Sequence, residues 1–600
     1  MRRLAWPAVV VFATAAAMNA PAPAAQADPA GNWLLSYSPR GSSAEQNYCI
    51  VKIDAKGDKA TAKVVATPPN GQPFTVKAAT VASGRVSITF SNGPAFSGVT
   101  GKAEDTILGS FGNENIQFRA KLTRTDKDEI TAAFTPGKAV PEIAEANKLS
   151  NKANALRFQA RATKDAEKKK ELLAQADEAA KEADAKVPGL LRKAVSAAAD
   201  QPVAIDAALS LIELGAKAEL KAEEARSLLT TIGKRAAPYG PDYARFVTVQ
   251  AAESLAGVKG LEAAAADALR PLTKGFTDKE PAAATQVKVF TALKTALTTT
   301  GGDELKEVDG RLQRLEKRLD DEYNATVPPF KPEPFAGRKD SKANRAVVME
   351  LFTGAQCPPC VAADVAFDAL HKSYQSKDLV LIQYHMHIPG PDPMTNKDAI
   401  ARWDYYRKFH PGKVGGTPTT LFNGTPKAGG GGGMANAEAK YGAYTGVINE
   451  LLEETTSIKL TGKATRTGDK VEVAVEYAGV PAGGETKLRL LLVEDTVKYV
   501  GGNRLRFHHS VVRAMPGGAA GKALTDKAGK QTVAVDVSQV RSELTKYLDE
   551  YAANERPFPT AARPLEMAKL QVIALVQDDE TGEVLHAARF DVGPRGPQSE

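Results

Sequence analysis

Between residues 31 and 135 apolar and polar positions alternate in short runs, at 47–53, 59–66, 74–79, 84–90, 106–111 and 116–123. A period of two, broken by turn signals such as Asn92-Gly93, predicts antiparallel strands in a small barrel or sandwich, the all-β domain 28–137. Over 140–325 the chain turns to Ala, Leu, Lys and Glu, with Leu172 and Leu173 set apart from Glu171, Asp177 and Lys181 at helical spacing. Breaks at Pro188-Gly189, Gln201-Pro202, Tyr239-Gly240-Pro241 and Gly301-Gly302 divide it into six to eight amphipathic helices. No period repeats strictly, which favours an all-α scaffold over a solenoid. A proline-rich linker, 326–343, is expected to stay extended and to separate domains. Apolar runs at 346–352, 379–384 and 419–422 and a helical pattern at 361–374 predict an α/β domain over 344–455. Beyond it, β-rich runs at 470–477, 487–493, 531–537, 570–576 and 584–590, with one helix at 540–554, predict a β-sandwich over 456–595.

At 600 residues the chain is multidomain. Its net charge of +7 is small against 78 basic and 71 acidic residues, and basic stretches such as Lys168-Lys169-Lys170 read as solvated helix faces. A nucleic-acid partner is therefore not expected. The first 27 residues have the make-up of a cleaved signal peptide: Arg2 and Arg3, an apolar stretch from Leu4 to Met18, and Ala25-Gln26-Ala27 at the cleavage site. A periplasmic or secreted protein follows, with no integral membrane domain after cleavage, since no later window approaches the roughly 18 apolar residues a span needs. Three cysteines, Cys49, Cys357 and Cys360, exclude a disulfide framework. Cys49 reads as a buried thiol of the β-rich region.

The chemistry lies in Cys357-Pro358-Pro359-Cys360, placed between an apolar strand and a helical pattern. A cysteine at a helix N-terminus faces unpaired N–H groups and the positive end of the helix dipole, which favour thiolate. Cys357 is then the nucleophile, Cys360, one turn on, resolves the mixed disulfide, and Pro358 suits a first helical turn because its missing N–H costs nothing there.

The apolar strand, the C-x-x-C, the second apolar strand and Gly416-Thr417-Pro418-Thr419 ahead of the third together resemble the thioredoxin superfamily. Glu350-Leu351-Phe352-Thr353-Gly354, Tyr384-His385 and the later 492–495 and 508–513 are similar to exported thioredoxin-like proteins with a β-domain after the redox domain. The resemblance covers about a fifth of the chain. It implies an α/β thioredoxin-like domain and a cis bond at Thr417-Pro418 beside the cysteines. The buried acid usual in that family is replaced by Leu351. Glu350 is one residue early, on the other face of the strand, where it reads as a surface or edge carboxylate sooner than a general base.

These readings converge on an envelope or secreted thiol–disulfide oxidoreductase with Cys357, Cys360 and Pro418 as site residues. It needs no cofactor beyond its own redox-active disulfide, and its partners are protein thiols or disulfides of the cell envelope. Whether it reduces or oxidises depends on a reduction potential that the intervening dipeptide does not fix. Two alternatives stand beside it. One is a copper(I)- or zinc-handling protein in which His385 or His387 joins the cysteines; the other is a non-catalytic interaction protein built on the same scaffold. His385, His387 and the pair His508-His509 also have a structural reading, as hydrogen-bonding residues. Glycines 429–433 lack the Lys-Ser or Lys-Thr of a phosphate loop and read as a flexible loop.

Overall fold

The computed structural model describes residues 28–594 apart from 43, 57–58, 70, 83, 101–104, 114–115, 138, 164, 279–280, 300 and 482–484. The expected signal peptide, 1–27, lies outside the described residues. The chain falls into two compact units, one reaching Leu319 and one from Asp320 onward. Among the described residues no helix is long and apolar enough to cross a membrane.

The first unit joins an N-terminal all-β region to a helical region. Strands β1 (Gly31–Ser38), β2 (Glu45–Lys56), β3 (Lys59–Ala66), β4 (Val76–Ala82), β5 (Arg85–Phe90), β6 (Ala95–Thr100), β7 (Thr106–Gly112) and β8 (Gln117–Arg124) run antiparallel in the order β3-β2-β1-β8-β7-β6-β5-β4, and β9 (Phe134–Thr135) pairs with β2. Alternate side chains, among them Trp33, Leu35, Cys49, Val51, Ile88 and Leu122, fill one core. Helices α1 (Pro141–Ala162), α2 (Ala166–Ala197), α3 (Val203–Glu213), α4 (Ala222–Ala236), α5 (Pro241–Ala256), α6 (Glu262–Thr273), α7 (Ala283–Leu297) and α8 (Asp303–Thr326), whose residues from Asp320 belong to the second unit, follow. The two regions expected as separate domains are tied by a buried ion pair, Arg119 on β8 to Asp206 on α3 at 2.8 Å. The backbone N–H of Gly41 donates to the same carboxylate oxygen.

Cys49 is a free, buried thiol, and burial pushes it well above its usual pKa. Alkylation of the intact protein should therefore leave Cys49 unmodified over a time in which the denatured chain is fully labelled. Rapid labelling, read by mass spectrometry of the 49-containing peptide, would overturn this.

In the second unit β10 (Val347–Thr353) and β11 (Leu379–His385) are parallel, and β12 (Thr419–Phe422) runs antiparallel to β10 with β13 (Thr425–Pro426) beyond it. Helices α9 (Val361–Ser373), α10 (Lys397–Phe409) and α11 (Ala437–Leu451) accompany them. Both faces of β10 are covered, so its run is apolar except for Glu350 and the terminal Thr353. Val347, Met349 and Leu351 face α9 and α11, while Val348 and Phe352 face α10. Helix α10 starts where Asn396 caps it, its Oδ1 accepting from the N–H of Ala399 at 2.9 Å.

The C-terminal region adds β14 (Lys459–Thr467), β15 (Lys470–Ala478), β16 (Thr486–Lys498), β17 (Phe507–Ala514), β18 (Lys522–Ala523), β19 (Ala528–Asp536), α12 (Val537–Asn554), β20 (Leu570–Asp578) and β21 (Val584–Pro594). The expectation of a self-contained sandwich after residue 455 misses a connection: β17 pairs in parallel with β11 at Gln383 and Val511. The sheet continues as β11-β17-β16-β20-β21-β14-β15-β19. An apolar strand covered on both faces cannot leave its edge open to water, and β17 closes it. Strand β16 serves two cores, with Leu491 and Val493 turned toward α10 and Leu488, Leu490 and Leu492 toward β14, β15 and α12.

The proline-rich segment also differs from a free tether. The Phe330 ring lies 5.2 Å from that of Tyr441 on α11, and Phe335 stacks on Tyr374 at 5.1 Å. The segment is non-regular backbone laid along the α/β body, because its aromatic residues find apolar partners there.

Candidate functional site: the Cys357–Cys360 disulfide

Strand β10 ends at Thr353 and the chain turns through Gly354, Ala355 and Gln356 into Cys357, whose backbone is extended (φ −102°, ψ 101°). Pro358 to Cys360 form a single 3₁₀ turn, and α9 follows directly. Proline at the first two positions costs no hydrogen bond there. Cys357 and Cys360 are joined as a disulfide. The Thr417–Pro418 bond is cis, and the Thr417 hydroxyl lies 3.4 Å from the Cys357 sulfur and its carbonyl oxygen 3.6 Å. Cys357, Cys360 and the Thr417–Pro418 bond thus stand together, the arrangement the resemblance implies.

Three further segments close around the pair. Glycines 429–433, expected to be a flexible loop, lie instead as a strap on the cysteine turn. The Gly432 N–H donates to the Pro359 carbonyl at 2.7 Å, and the Ala362 N–H donates to the Gly432 carbonyl at 2.9 Å. At Gly431 a side chain would meet the Pro359 carbonyl oxygen at 2.3 Å and the Pro418 ring at 3.0 Å, so glycine is required for so close an approach. From the C-terminal region, Asn503 donates its backbone N–H to the Ala355 carbonyl at 2.9 Å, and its side-chain amide donates to the Gly354 carbonyl at 3.3 Å. The third is the loop after β11, where the Ile388 carbonyl accepts from the Thr417 hydroxyl at 3.2 Å. Together they leave Cys357 only 1% exposed and Cys360 fully buried.

Behind the disulfide runs a buried polar chain. Asp364, one turn beyond Cys360 on α9, accepts from the Thr353 hydroxyl at 2.8 Å and from the Gln383 amide at 2.9 Å. Gln383 Oε1 lies 3.1 Å from His385 Nε2, and His385 Nδ1 lies 2.8 Å from Asp392 Oδ2. Asp392 in turn accepts the Ala355 N–H at 2.6 Å. The chain thus starts just past Cys360 and ends two residues before Cys357. Burial raises Asp364 to about 8, with Asp368 and Asp392 adding to the rise against the Thr353 hydrogen bond and His385. Asp392 is buried too, yet His385 and the N–H groups of Ala355 and Met394 hold its carboxyl below the usual range.

The structure answers the histidine readings residue by residue. His385 is held within this chain. His387 accepts the Asp392 N–H at 3.0 Å, its ring stacks on Tyr551 at 3.7 Å, and burial lowers it to about 4. His508 donates from Nε2 to the Tyr499 carbonyl at 3.0 Å with its ring 4.9 Å from that of His385, while His509 Nδ1 is 3.2 Å from the Thr496 hydroxyl. Among the described residues no group of three or more His, Cys, Asp or Glu side chains is arranged to hold a metal ion. Glu350, read as a surface or edge carboxylate, is fully buried and paired with Arg402 of α10 at 2.9 Å, because alternation sends it to the α10 face where an opposite charge waits. Its partners, Arg402, Tyr384 and Tyr406, leave it no part at the sulfurs. Asp364, Asp392, Arg402 and the glycine strap were missed. The signal for the first was Asp364 and Asp368 at an i, i+4 spacing inside an otherwise apolar helical run.

No family model and no curated protein matches the chain. Two solved structures bear a weak likeness. One is HBP35 of Porphyromonas gingivalis, 14% identical, covering 44% of this chain and 80% of that one with a TM-score of 0.31. The other is protein AGR_C_4864 from Agrobacterium tumefaciens, 16% identical, covering 42% and 96% with a TM-score of 0.27. Likeness at that level carries no argument about fold or function.

Proposed function

We propose that the chain is an exported, thioredoxin-like thiol–disulfide oxidoreductase acting on protein thiols or disulfides of the cell envelope. The carrying observation is the Cys357–Cys360 disulfide closing the 3₁₀ turn that leads into α9, with the Thr417 carbonyl and hydroxyl against the Cys357 sulfur. The parallel β10–β11 pair, the antiparallel β12 and the cis bond before Pro418 support the thioredoxin-like reading. In the reduced state the helix N-terminus stabilises the Cys357 thiolate. That thiolate attacks a partner disulfide, forming a Cys357–partner bond and expelling one partner thiolate. Cys360 then attacks the Cys357 sulfur, closes the intramolecular disulfide and releases the second partner thiolate, so that two electrons pass to the partner. Oxidation of a partner dithiol runs the same steps backwards.

Near-complete burial of Cys357 favours a second reading, in which the disulfide is a structural staple in an interaction protein. Cys360→Ser separates the two. An oxidoreductase accumulates mixed disulfides through Cys357, seen as thiol-cleavable adducts on non-reducing gels of envelope fractions. A staple yields no adducts, and the full-length protein then fails to equilibrate its cysteine pair with a glutathione buffer at any poise.

A further inference from the structure

We propose that residues 555–563, the segment after α12, select the partner protein by binding an acidic side chain that lies close to the partner's reacting cysteine. This deepens the oxidoreductase reading and rests on it. The Cys357 sulfur is almost sealed, so a partner is held by the surface around it. Pro358, Pro359, Pro389 and Gly416 are exposed there and offer neither charge nor side-chain donor. Segment 555–563 reaches this surface at two points. Arg556 Nη2 donates to the Pro389 carbonyl at 3.2 Å, next to Ile388, whose own carbonyl accepts from the Thr417 hydroxyl beside the Cys357 sulfur. At the second point Tyr499 has Thr560, Arg563 and Gln356, the residue before Cys357, for neighbours. The C-terminal region thus supplies one rim of the redox site.

Ring contacts hold this rim in place. Phe558 lies 5.8 Å from Tyr551 and 6.0 Å from His387, and the Arg563 guanidinium stands over the Phe558 ring at 4.4 Å. Pro557 and Pro559 restrict the backbone on either side of Phe558, so both arginines are set before a partner arrives. Both are partly exposed. Arg563 gives Nη1 to the Thr560 and Ala562 carbonyls at 3.4 and 3.2 Å, its Nη2 meets Asp549 only at 3.9 Å, and its buried Nε–H has no acceptor. His387 carries a second such donor. Its Nδ1 accepts the Asp392 N–H, which leaves the ring hydrogen on Nε2, buried and without an acceptor. Two guanidinium charges and two N–H groups lacking acceptors on one rim fit a group that is negative and only accepts. A carboxylate does both, and its two oxygens match the planar fork of arginine. Since the partner is a protein, the group is the side chain of an aspartate or glutamate.

The test uses the full-length protein with Cys360→Ser, so that reaction stops at the mixed disulfide on Cys357. Two short peptides, each with one cysteine activated as its 2-thiopyridyl disulfide, differ only in carrying glutamates or lysines on both sides of that cysteine. Release of pyridine-2-thione gives the rate with Cys357, and each rate is divided by that of the same peptide with free 2-mercaptoethanol. The acidic peptide should react about tenfold faster than the basic one at low salt, and the preference should shrink as salt is raised. Adding Arg556→Gln and Arg563→Gln should bring the ratio close to one. Equal rates at low salt, or a preference for lysines, overturn this inference without need of the added variants. So does an acidic preference that survives both substitutions in a protein still reactive toward uncharged 2,2′-dithiodipyridine. In each of these cases Cys357 has reacted and the oxidoreductase reading stands. A Cys357 that forms no mixed disulfide with any of the three probes overturns both.

Discussion

Glu350→Ala should cost the second unit about 3–5 kcal/mol, the range for removing one partner of a buried ion pair. The guanidinium of Arg402 is fully buried and gives Nε to Glu350 Oε1 at 2.9 Å and Nη2 to Oε2 at 3.1 Å. Tyr384 and Tyr406 donate their hydroxyls to the same carboxylate, and Gln577 on β20 accepts from Arg402 at 2.6 Å. Without the carboxylate a positive charge stays buried against the Tyr405 and Tyr406 rings, and the hydroxyl hydrogens of Tyr384 and Tyr406 lose their acceptor. Urea unfolding followed through Trp403 fluorescence, in a Trp33→Phe background that removes the first unit's signal, measures the loss. The paired variant Glu350→Gln, Arg402→Met removes both charges while Gln still accepts from the tyrosines, and should recover more than half of it. A single alanine costing under about 1 kcal/mol would show that the pair is solvated and the assignment mistaken.

Gly431→Ala should uncover the disulfide. The added methyl would stand 2.3 Å from the Pro359 carbonyl oxygen, a backbone atom that cannot swing aside, and 3.0 Å from the Pro418 ring. Relief requires the strap to lift, which breaks both Gly432 hydrogen bonds to the cysteine turn and frees the Ala362 N–H at the start of α9. Overpacking of this kind typically costs about 1–3 kcal/mol. Reduction of Cys357–Cys360 by a water-soluble phosphine should accelerate by about tenfold or more, since attack on the sulfur no longer waits for the cover to open. Gly433→Ala is the control, because nothing lies within 4 Å of a side chain there. Equal reduction rates in the wild type and Gly431→Ala would sink the idea that the strap guards the pair.

Much of the second unit was legible because its strands are short, apolar and bounded by turn residues. The runs at 346–352, 379–384 and 419–422 became β10, β11 and β12 within a residue or two. β6 escaped notice, since Ala95–Thr100 offers only Phe96, Val99 and Thr100 as strand formers and carries Gly98, where the Phe96 ring and the Leu108 carbonyl leave no room for a side chain. Within the site, the cysteines were readable because their chemistry is local to four consecutive residues, whereas Pro418, 58 residues after Cys360, was reached only through the resemblance. Glu350 was misread because its partner stands 52 residues away on another element, and strand alternation gives the face but not what covers it. The glycine strap was misread for the same reason. Five consecutive glycines say that backbone can approach closely, and only the tertiary structure says what it approaches.

The union of the α/β strands with the C-terminal strands in one sheet sets an order of events on the growing chain. Asn503 reaches Gly354 across 149 residues, Arg402 reaches Gln577 across 175, and Arg345 reaches the Val584 carbonyl across 239. Contacts so distant along the chain form slowly, after local helices and hairpins. Until residue 503 and its neighbours have been synthesised, the turn before Cys357 lacks its outer wall and β11 lacks its neighbour. The cysteines are therefore most open to oxidation, and to wrong partners, until the roughly 140 residues from Cys360 to Asn503 have been added.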